Sequence, residues 1–445
     1  MKKIAAQFVD LCRPFWRGKQ GLLALLLLVA AISMGWTIVY LNVLLNDWSK
    51  TFYDALGTFD SSLLLSLMKE YGIYILIYIV VFVHQDWFTR WLIIRWRSAM
   101  TEELVNSWLA KRAFYRMSIV GKIDNPDQRI AEDISLFVDK TVSLVASFLV
   151  VTAQLSSFVI ILWELSGVQR FTLFGEEWVI KGYLVWAVII YTVFGTLMTH
   201  LIGKRLHGIN YEKQRAAANF RAFLLRKHDN AEHIALYGGE KQEKSHLKRQ
   251  FSAIVSNWRR AMNAERHLGF VTTGYMRIIL IVPNFAALPS FLSKTVTLGG
   301  LMQIRGAFAQ VHGALSWFIR MYREFMELSA SMERLSQFKQ EIKRHQSEDE
   351  VVPVGERLQL DQLSFTTPQG SPLLQKVDLS CEAGSWSKFS GRSGLGKSTL
   401  LRTLSGLWPY YDGRWQSLEG RSLLLPQQSY LGQGTLAVIL CYSHP

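Results

Sequence analysis

The sequence predicts a mostly α chain: a six-helix transmembrane domain with long cytoplasmic helical extensions, followed by the first part of an α/β P-loop domain. Three observations predict it. Long apolar blocks alternate with basic loops through about residue 343. Residues 344–356 are a charged linker, and from Arg357 onward short β-like runs and turns replace the helical period. Near the end, Gly391-Arg392-Ser393-Gly394-Leu395-Gly396-Lys397-Ser398-Thr399 fits G-x-x-x-x-G-K-[ST], a phosphate-binding loop.

Composition sets the class. The 445 residues suffice for two or three domains. Half of them are hydrophobic, 15 are Trp and 19% are charged. The apolar residues stand in long blocks, which a soluble protein does not show. A net charge of +14 could mean nucleic acid. Here the positive residues sit in loops between apolar blocks, so membrane topology accounts for them and no nucleic-acid partner is expected. Cys12, Cys381 and Cys441 lie far apart, without metal or disulfide spacing.

Residues 1–19 form an amphipathic helix, with Ile4, Phe8, Leu11, Phe15 and Trp16 on the apolar side, suited to lying on membrane lipid. The apolar run from Gly21 to about Leu45 is too long for a cleaved signal core, so it is expected to be a retained span. A membrane-crossing helix takes about 20 residues. Six stretches qualify: 21–45, 71–93, 141–165, 180–203, 268–292 and 299–322, the fourth and sixth being less apolar. Trp36, Trp48, Trp87, Trp91, Trp163 and Trp178 gather near their ends, as interfacial belts do. The loops after the second and fourth spans are rich in Lys and Arg; the others carry few, such as Lys50, Lys69 and Lys294. Positive loops stay inside, which places both termini in the cytoplasm.

The two basic loops keep helical spacing over 88–118 and 204–236, so the spans should run on as continuous helices. Breakers then cluster at Gly121–Pro126, before Asp127-Gln128-Arg129-Ile130, and at Gly238-Gly239, after Asn230–Tyr237. Each marks a turn placed to touch a cytoplasmic partner. Ionisable groups inside spans are costly and point to function. Arg277 lies in the fifth span; Gln303, Arg305, Gln310, His312 and Arg320 lie along the sixth. Arg305 and His312 are seven residues apart and share a helix face, as do Gln303 and Gln310. Arg305, His312 and Arg320 are therefore candidates to line a water-filled cavity that takes an anionic or amphipathic solute.

The phosphate loop needs each of its parts. Gly391, Gly394 and Gly396 let backbone N–H groups turn toward phosphate oxygens. Lys397 supplies a point charge for the outer phosphates, and the Ser398 hydroxyl can ligate Mg²⁺. The helix opening here, Ser398–Leu407, presents its positive end to the anion. Short strands are expected at Leu358–Phe365, Leu373–Leu379, Trp386–Ser390 and Ser422–Leu425.

Six spans with helical extensions and this loop resemble an ABC transporter half-molecule, a fused permease and ATP-binding protein. Ser393-Gly394-x-Gly396-Lys397-Ser398-Thr399 has the ABC form, and Leu425-Pro426-Gln427 is similar to the Q-loop. Asn125-Pro126-Asp127-Gln128-Arg129-Ile130 and Ala231-Glu232-His233-Ile234-Ala235-Leu236-Tyr237-Gly238-Gly239-Glu240 resemble the SbmA/BacA-related, YddA-type branch and the peroxisomal fatty-acyl transporters. The resemblance implies an ABC exporter-like fold and ATP with Mg²⁺ bound by Gly391, Ser393, Gly394, Gly396, Lys397, Ser398, Thr399 and Gln427, the metal on Ser398 and Gln427. It implies a homodimer in the bacterial inner membrane, coupled through Asn125, Asp127, Arg129, Glu232, Tyr237, Gly238 and Gly239. The sequence departs from the family at Thr367, where an adenine-stacking aromatic is usual, and at Ser387, Lys388 and Ser390, in a strand that should be apolar. The family's signature, Walker B carboxylates and switch histidine normally lie beyond the position of Pro445. The chain is thus expected to be truncated within the nucleotide-binding domain, with no catalytic glutamate. An ion-gradient-driven transporter and an inactive remnant are the alternatives to an ATP-driven one.

Overall fold

The structure, a computed structural model, describes residues 2–18, 20–120, 125–173, 176–346, 353–392, 394–420, 423–425, 430 and 434–440. Ser393, Ser422, Gln427 and the stretch 441–445 lie outside the described residues. The chain divides into two units. One holds Cys12–Trp96 and Leu136–Ala330; the other holds Met1–Leu11, Arg97–Ser135 and Ser331–Pro445.

The first unit is built from long helices. α1 (Lys2–Arg17) ends in it. There Phe15 stacks on buried Trp96 at 5.5 Å and Trp16 meets the same ring edge-on. Of the apolar side predicted for this helix, Leu11 and Phe15 are buried, whereas Ile4 is exposed. α2 (Gly21–Thr58) stops where Phe59 turns left-handed, and the Asp60 carboxylate accepts the Ser62 and Leu63 N–H groups to open α3 (Ser61–Leu109). These bonds, that of the Ser62 hydroxyl foremost, hold the Asp60 carboxyl below its usual range. After α4 (Ala113–Val120) and α5 (Pro126–Gln128), which belong to the second unit, α6 (Ile134–Ser166) leads to an antiparallel hairpin of β1 (Val168–Leu173) and β2 (Glu176–Lys181). The expected fourth span accordingly starts later than residue 180, after Gly182 turns left-handed at φ 67°.

α7 (Tyr183–Asp229), α8 (Ala231–Leu236) and α9 (Glu240–Ile278) follow. The 47 residues of α7 are about 70 Å of helix, far more than a bilayer needs. The fifth span, expected to be continuous over 268–292, is broken instead: α9 stops at Ile278 and α10 (Val282–Leu292) restarts around Pro283. Proline has no N–H to give to Ile279, and its ring crowds that carbonyl. α11 (Leu298–His345) holds the residues expected as the sixth span. Among the described residues, four helical stretches are long and apolar enough to cross a membrane: Gly21–Thr58, Ser61–Val120, Pro126–Ser166 and Glu240–Leu292. The fourth expected span contributes the shorter apolar stretch Tyr183–Thr199.

The sixth falls below that measure because of its polar residues, and these tie it to its neighbours. The Asn46 side-chain N–H donates to the Gln303 carbonyl at 3.0 Å, and Gln303 donates to Asp47. Gln154 on α6 donates to the Gln310 side chain at 2.7 Å. Tyr275 on α9 meets His312 at 2.8 Å. Interhelical hydrogen bonds of this kind hold helices together where both solvents, lipid and core, are apolar. Between them Ile304, Ala307, Phe308 and Val311 of α11 pack with Phe158 and Leu162 of α6, Leu184 and Val188 of α7 and Ala287 of α10. Gly306 lets α11 approach α2 closely, since a Cβ there would overlap the Asn46 amide. Gly306→Leu is expected to cost about 1–3 kcal/mol and to lower the thermal midpoint in detergent. An unchanged midpoint would show that α2 and α11 do not pack at this point.

In the second unit, α3 ends at a kink, with Lys111 and Arg112 both left-handed, before α4. The sequence predicted unbroken helix over 88–118, and no glycine or proline there signals the kink. α11 is held to this segment: Gln346 donates to the Ser107 carbonyl, Arg116 to the His345 carbonyl, and Lys339 pairs with Glu103 and Asp10. The sheet runs β3-β6-β4-β5, from β3 (Val354–Gly355), β4 (Arg357–Thr366), β5 (Pro372–Glu382) and β6 (Tyr411–Leu418). Only β3–β6 is parallel, so among the described residues the sheet is largely antiparallel. Leu360, Leu363 and Phe365 of β4, Trp415 of β6 and Leu400 of α12 (Lys397–Leu404) form its core. α13 (Leu436–Leu440) is the last described helix.

Three segments differ from expectation. β6 takes Tyr411–Leu418, whose charged and polar residues hid its alternation. Trp386–Ser390 is no strand: the segment lies exposed, Trp386 completely so. Ser387, Lys388 and Ser390 explain it, because burying an unpaired lysine in a sheet is expensive. Leu423–Leu425 is likewise not a strand.

Candidate nucleotide-binding site

The phosphate loop follows that exposed segment and runs into α12. Gly394 and Gly396 have φ of 88° and 92°, a backbone only glycine adopts without strain. Gly396 is also the residue before α12, and its carbonyl accepts the Leu400 N–H at 2.9 Å. The helix starts at Lys397, one residue earlier than predicted, and ends at Leu404, before left-handed Gly406, so Ser405–Leu407 are not helical. Its inner face is anchored by buried Thr399, Leu400 and Thr403, with Thr403 bonded to the Thr399 carbonyl.

The Lys397 ammonium reaches back over the loop and donates to the carbonyls of Gly391 and Arg392, both at 2.7 Å. The loop thus encircles a fixed positive charge at the positive end of a helix. Ser398 is exposed at the helix start, whereas Thr399 is buried beneath it. Ser398 is therefore the hydroxyl free to meet a metal. Thr367, at the position of the missing aromatic, closes a tight turn: its N–H donates to the Ser371 carbonyl and its hydroxyl accepts the Ser371 N–H.

The predicted coupling residues divide between the units. Asn125, Asp127 and Arg129 belong to the unit with the phosphate loop, and Glu232, Tyr237, Gly238 and Gly239 to the other. Asn125 is left-handed at φ 54° and starts α5, with Pro126 at the first helical position. Asp127 is exposed. Arg129 is not free: it donates to Asp133 at 2.9 Å from the other end of a π-turn, Arg129–Asp133. Arg334 of α11 grips the same buried carboxylate through both its Nε and Nη2. Burial pushes the Asp133 carboxyl up, but the Arg334 and Arg129 guanidiniums outweigh it and hold the group below the usual range. Sequence reading missed Asp133 and Arg334, which are 201 residues apart. In the other unit, Gly238 turns left-handed at φ 60° and Gly239 donates back to the Ile234 carbonyl, the turn the two glycines predicted. Leu236 and Tyr237 stand exposed there, Tyr237 at 84%.

Of the predicted cavity residues, His312 is buried between Tyr275 and Ser316. Arg305 and Arg320 are exposed on α11.

An apolar helical bundle continued by a phosphate loop on the same chain defines a membrane-bound P-loop protein. Residues 11–292 match the family model for ABC transporter transmembrane region 2, and residues 374–435 match the family model for ABC transporter. The chain belongs to the ABC transporter family. It is 36% identical to the inner membrane ABC transporter ATP-binding protein YddA of Escherichia coli, over all of this chain and 80% of that one. It is 33% identical to an ABC transporter ATP-binding protein of Haemophilus influenzae, over 78% of this chain and 59% of that one. ABC transporter D family member 2 of Arabidopsis thaliana, a chloroplast protein, is 27% identical over 99% of this chain and 67% of its own length. The chain is thus built as a half-transporter, with one membrane region and one ATP-binding region.

Proposed function

We propose that two copies of this chain form an ATP-driven solute transporter of the bacterial inner membrane, with both termini cytoplasmic. The observation that carries the reading is Lys397, fixed inside its glycine loop at the start of α12, on a chain whose other unit is made of membrane-length helices. Gly391, Gly394, Gly396 and Lys397 would hold the phosphates and Ser398 the Mg²⁺; Ser393, Thr399 and Gln427 complete the proposed set. Mg²⁺ would neutralise charge on the phosphates, and this chain's part is to place them against the ammonium. Hydrolysis also draws on groups outside this loop.

Exposed Leu236 and Tyr237 at the α8–α9 turn support a second copy as the partner there, with Glu232, Gly238 and Gly239 shaping the contact. Asn125 and Asp127 would serve the chain's own ATP-binding unit, with Arg129 holding their turn in shape through Asp133. Arg305 and Arg320, exposed on a helix inside the membrane region, favour an anionic or amphipathic solute. The test is accumulation of such solutes by inside-out membrane vesicles given MgATP. The reading predicts transport that falls in Arg305→Ala. Transport unchanged in that variant for every solute tried would remove the cavity assignment.

A further inference from the structure

The kink between α3 and α4 places two adjacent non-glycine residues in the left-handed region, Lys111 at φ 49° and Arg112 at φ 55°. That backbone is costly for both, so a contact must hold it. One contact at this kink is made by the Arg112 guanidinium. Its Nη1 donates to the Ser405 carbonyl at 3.3 Å and to the Gly406 carbonyl at 3.2 Å. These carbonyls close the C-terminal end of α12, the helix whose first residue is Lys397. Gly406 is left-handed itself, at φ 67°, and a Cβ on it would stand 3.4 Å from that same nitrogen. Arg112 therefore meets the end of α12 where carbonyls lack helical partners and the dipole is negative.

α12 has eight residues, about 12 Å of helix. Leu400 packs in the core of the sheet, and Thr403 is buried on the same helix. A shift imposed at its phosphate end is carried to its carbonyl end. We propose that Arg112 is the positioning residue through which phosphate bound at Lys397 is reported to the α3–α4 kink, and hence into the helix that continues toward the membrane region. The inference rests on the nucleotide-binding reading above. It adds a second contact to the one at Asn125 and Asp127, made by main-chain acceptors that side-chain patterns do not reveal.

The test uses the full chain in detergent with Cys12, Cys381 and Cys441 replaced by Ala and a bimane label on Leu109→Cys, an exposed position at the end of α3. A fluorescent ATP analogue measures affinity in parallel. Saturating MgATP is expected to shift the bimane emission in the parent. Arg112→Ala should lose that shift while affinity changes by about fivefold or less, the effect of one screened charge at a helix end. Arg112→Lys should restore part of the shift. Arg112→Gln keeps a donor without the charge; it should reduce the shift and serves if the alanine variant does not fold. A full shift in Arg112→Ala or Arg112→Gln overturns the proposal, as does a parent that binds nucleotide without any shift. A parent that binds no nucleotide overturns the nucleotide reading, and this proposal with it.

Discussion

Lys397→Ala is expected to weaken MgATP binding roughly 10- to 100-fold. A hydrogen bond to a charged group contributes about 1.5–3 kcal/mol, and each ~1.4 kcal/mol is a factor of ten. In the structure the ammonium spends its donors on the neutral carbonyls of Gly391 and Arg392. Phosphate oxygens are charged acceptors and bind the same donors more strongly. The alanine variant loses that gain and keeps the glycine loop. Because the loop is exposed, the variant should retain its thermal midpoint without nucleotide. Lys397→Arg is no rescue, since a planar fork does not replace a compact point charge inside the loop. Titration with a fluorescent ATP analogue measures the effect, and an undiminished affinity would place the nucleotide elsewhere.

Asp133→Ala is expected to destabilise the unit that carries the phosphate loop by about 2–3 kcal/mol. Breaking a fully buried ion pair typically costs ~3–5 kcal/mol. Here Asp133 is buried, but the Arg334 side chain is 37% exposed, so water tempers the loss. The pair also joins the π-turn after Asp127 to α11, which leads into the ATP-binding region. The sign of its pH dependence follows from the lowered pKa. The pair's stabilisation is complete above the ordinary carboxylate value near ~4, and it is lost as pH falls through the lower folded value. Thermal midpoints of wild type and variant should differ fully at pH 7 and converge in strong acid. A gap that stays constant across that range would show that Asp133 does not stabilise as a carboxylate.

What was legible in the sequence was whatever is written locally. The apolar blocks marked the membrane helices, Gly238-Gly239 marked a turn, and the glycines and Lys397 marked the phosphate loop. Each of these is set by a residue's own backbone freedom, charge or apolar surface. What was not legible is set by partners far along the chain. Gln303 and Gln310 share a spacing that suggested one cavity face, yet they bond Asp47 and Gln154 on different helices. Arg129 was expected at a docking surface, but Asp133 and Arg334 claim it. The kink at Lys111 and Arg112 has no breaker in the sequence, and the carbonyls that Arg112 meets lie nearly 300 residues away. Trp386–Ser390 was expected as a strand on its place before the loop, although its own polar residues argued against it.

Nucleotide bound at Lys397 is proposed as the energy source for transport. The most direct measurement is solute flux in proteoliposomes of the purified full chain, with MgATP present or absent and with the proton gradient set independently. Flux should require MgATP, be lost in Lys397→Ala and survive an ionophore that collapses the gradient. Flux that persists in Lys397→Ala and stops with the ionophore would contradict the proposal and assign the work to an ion gradient.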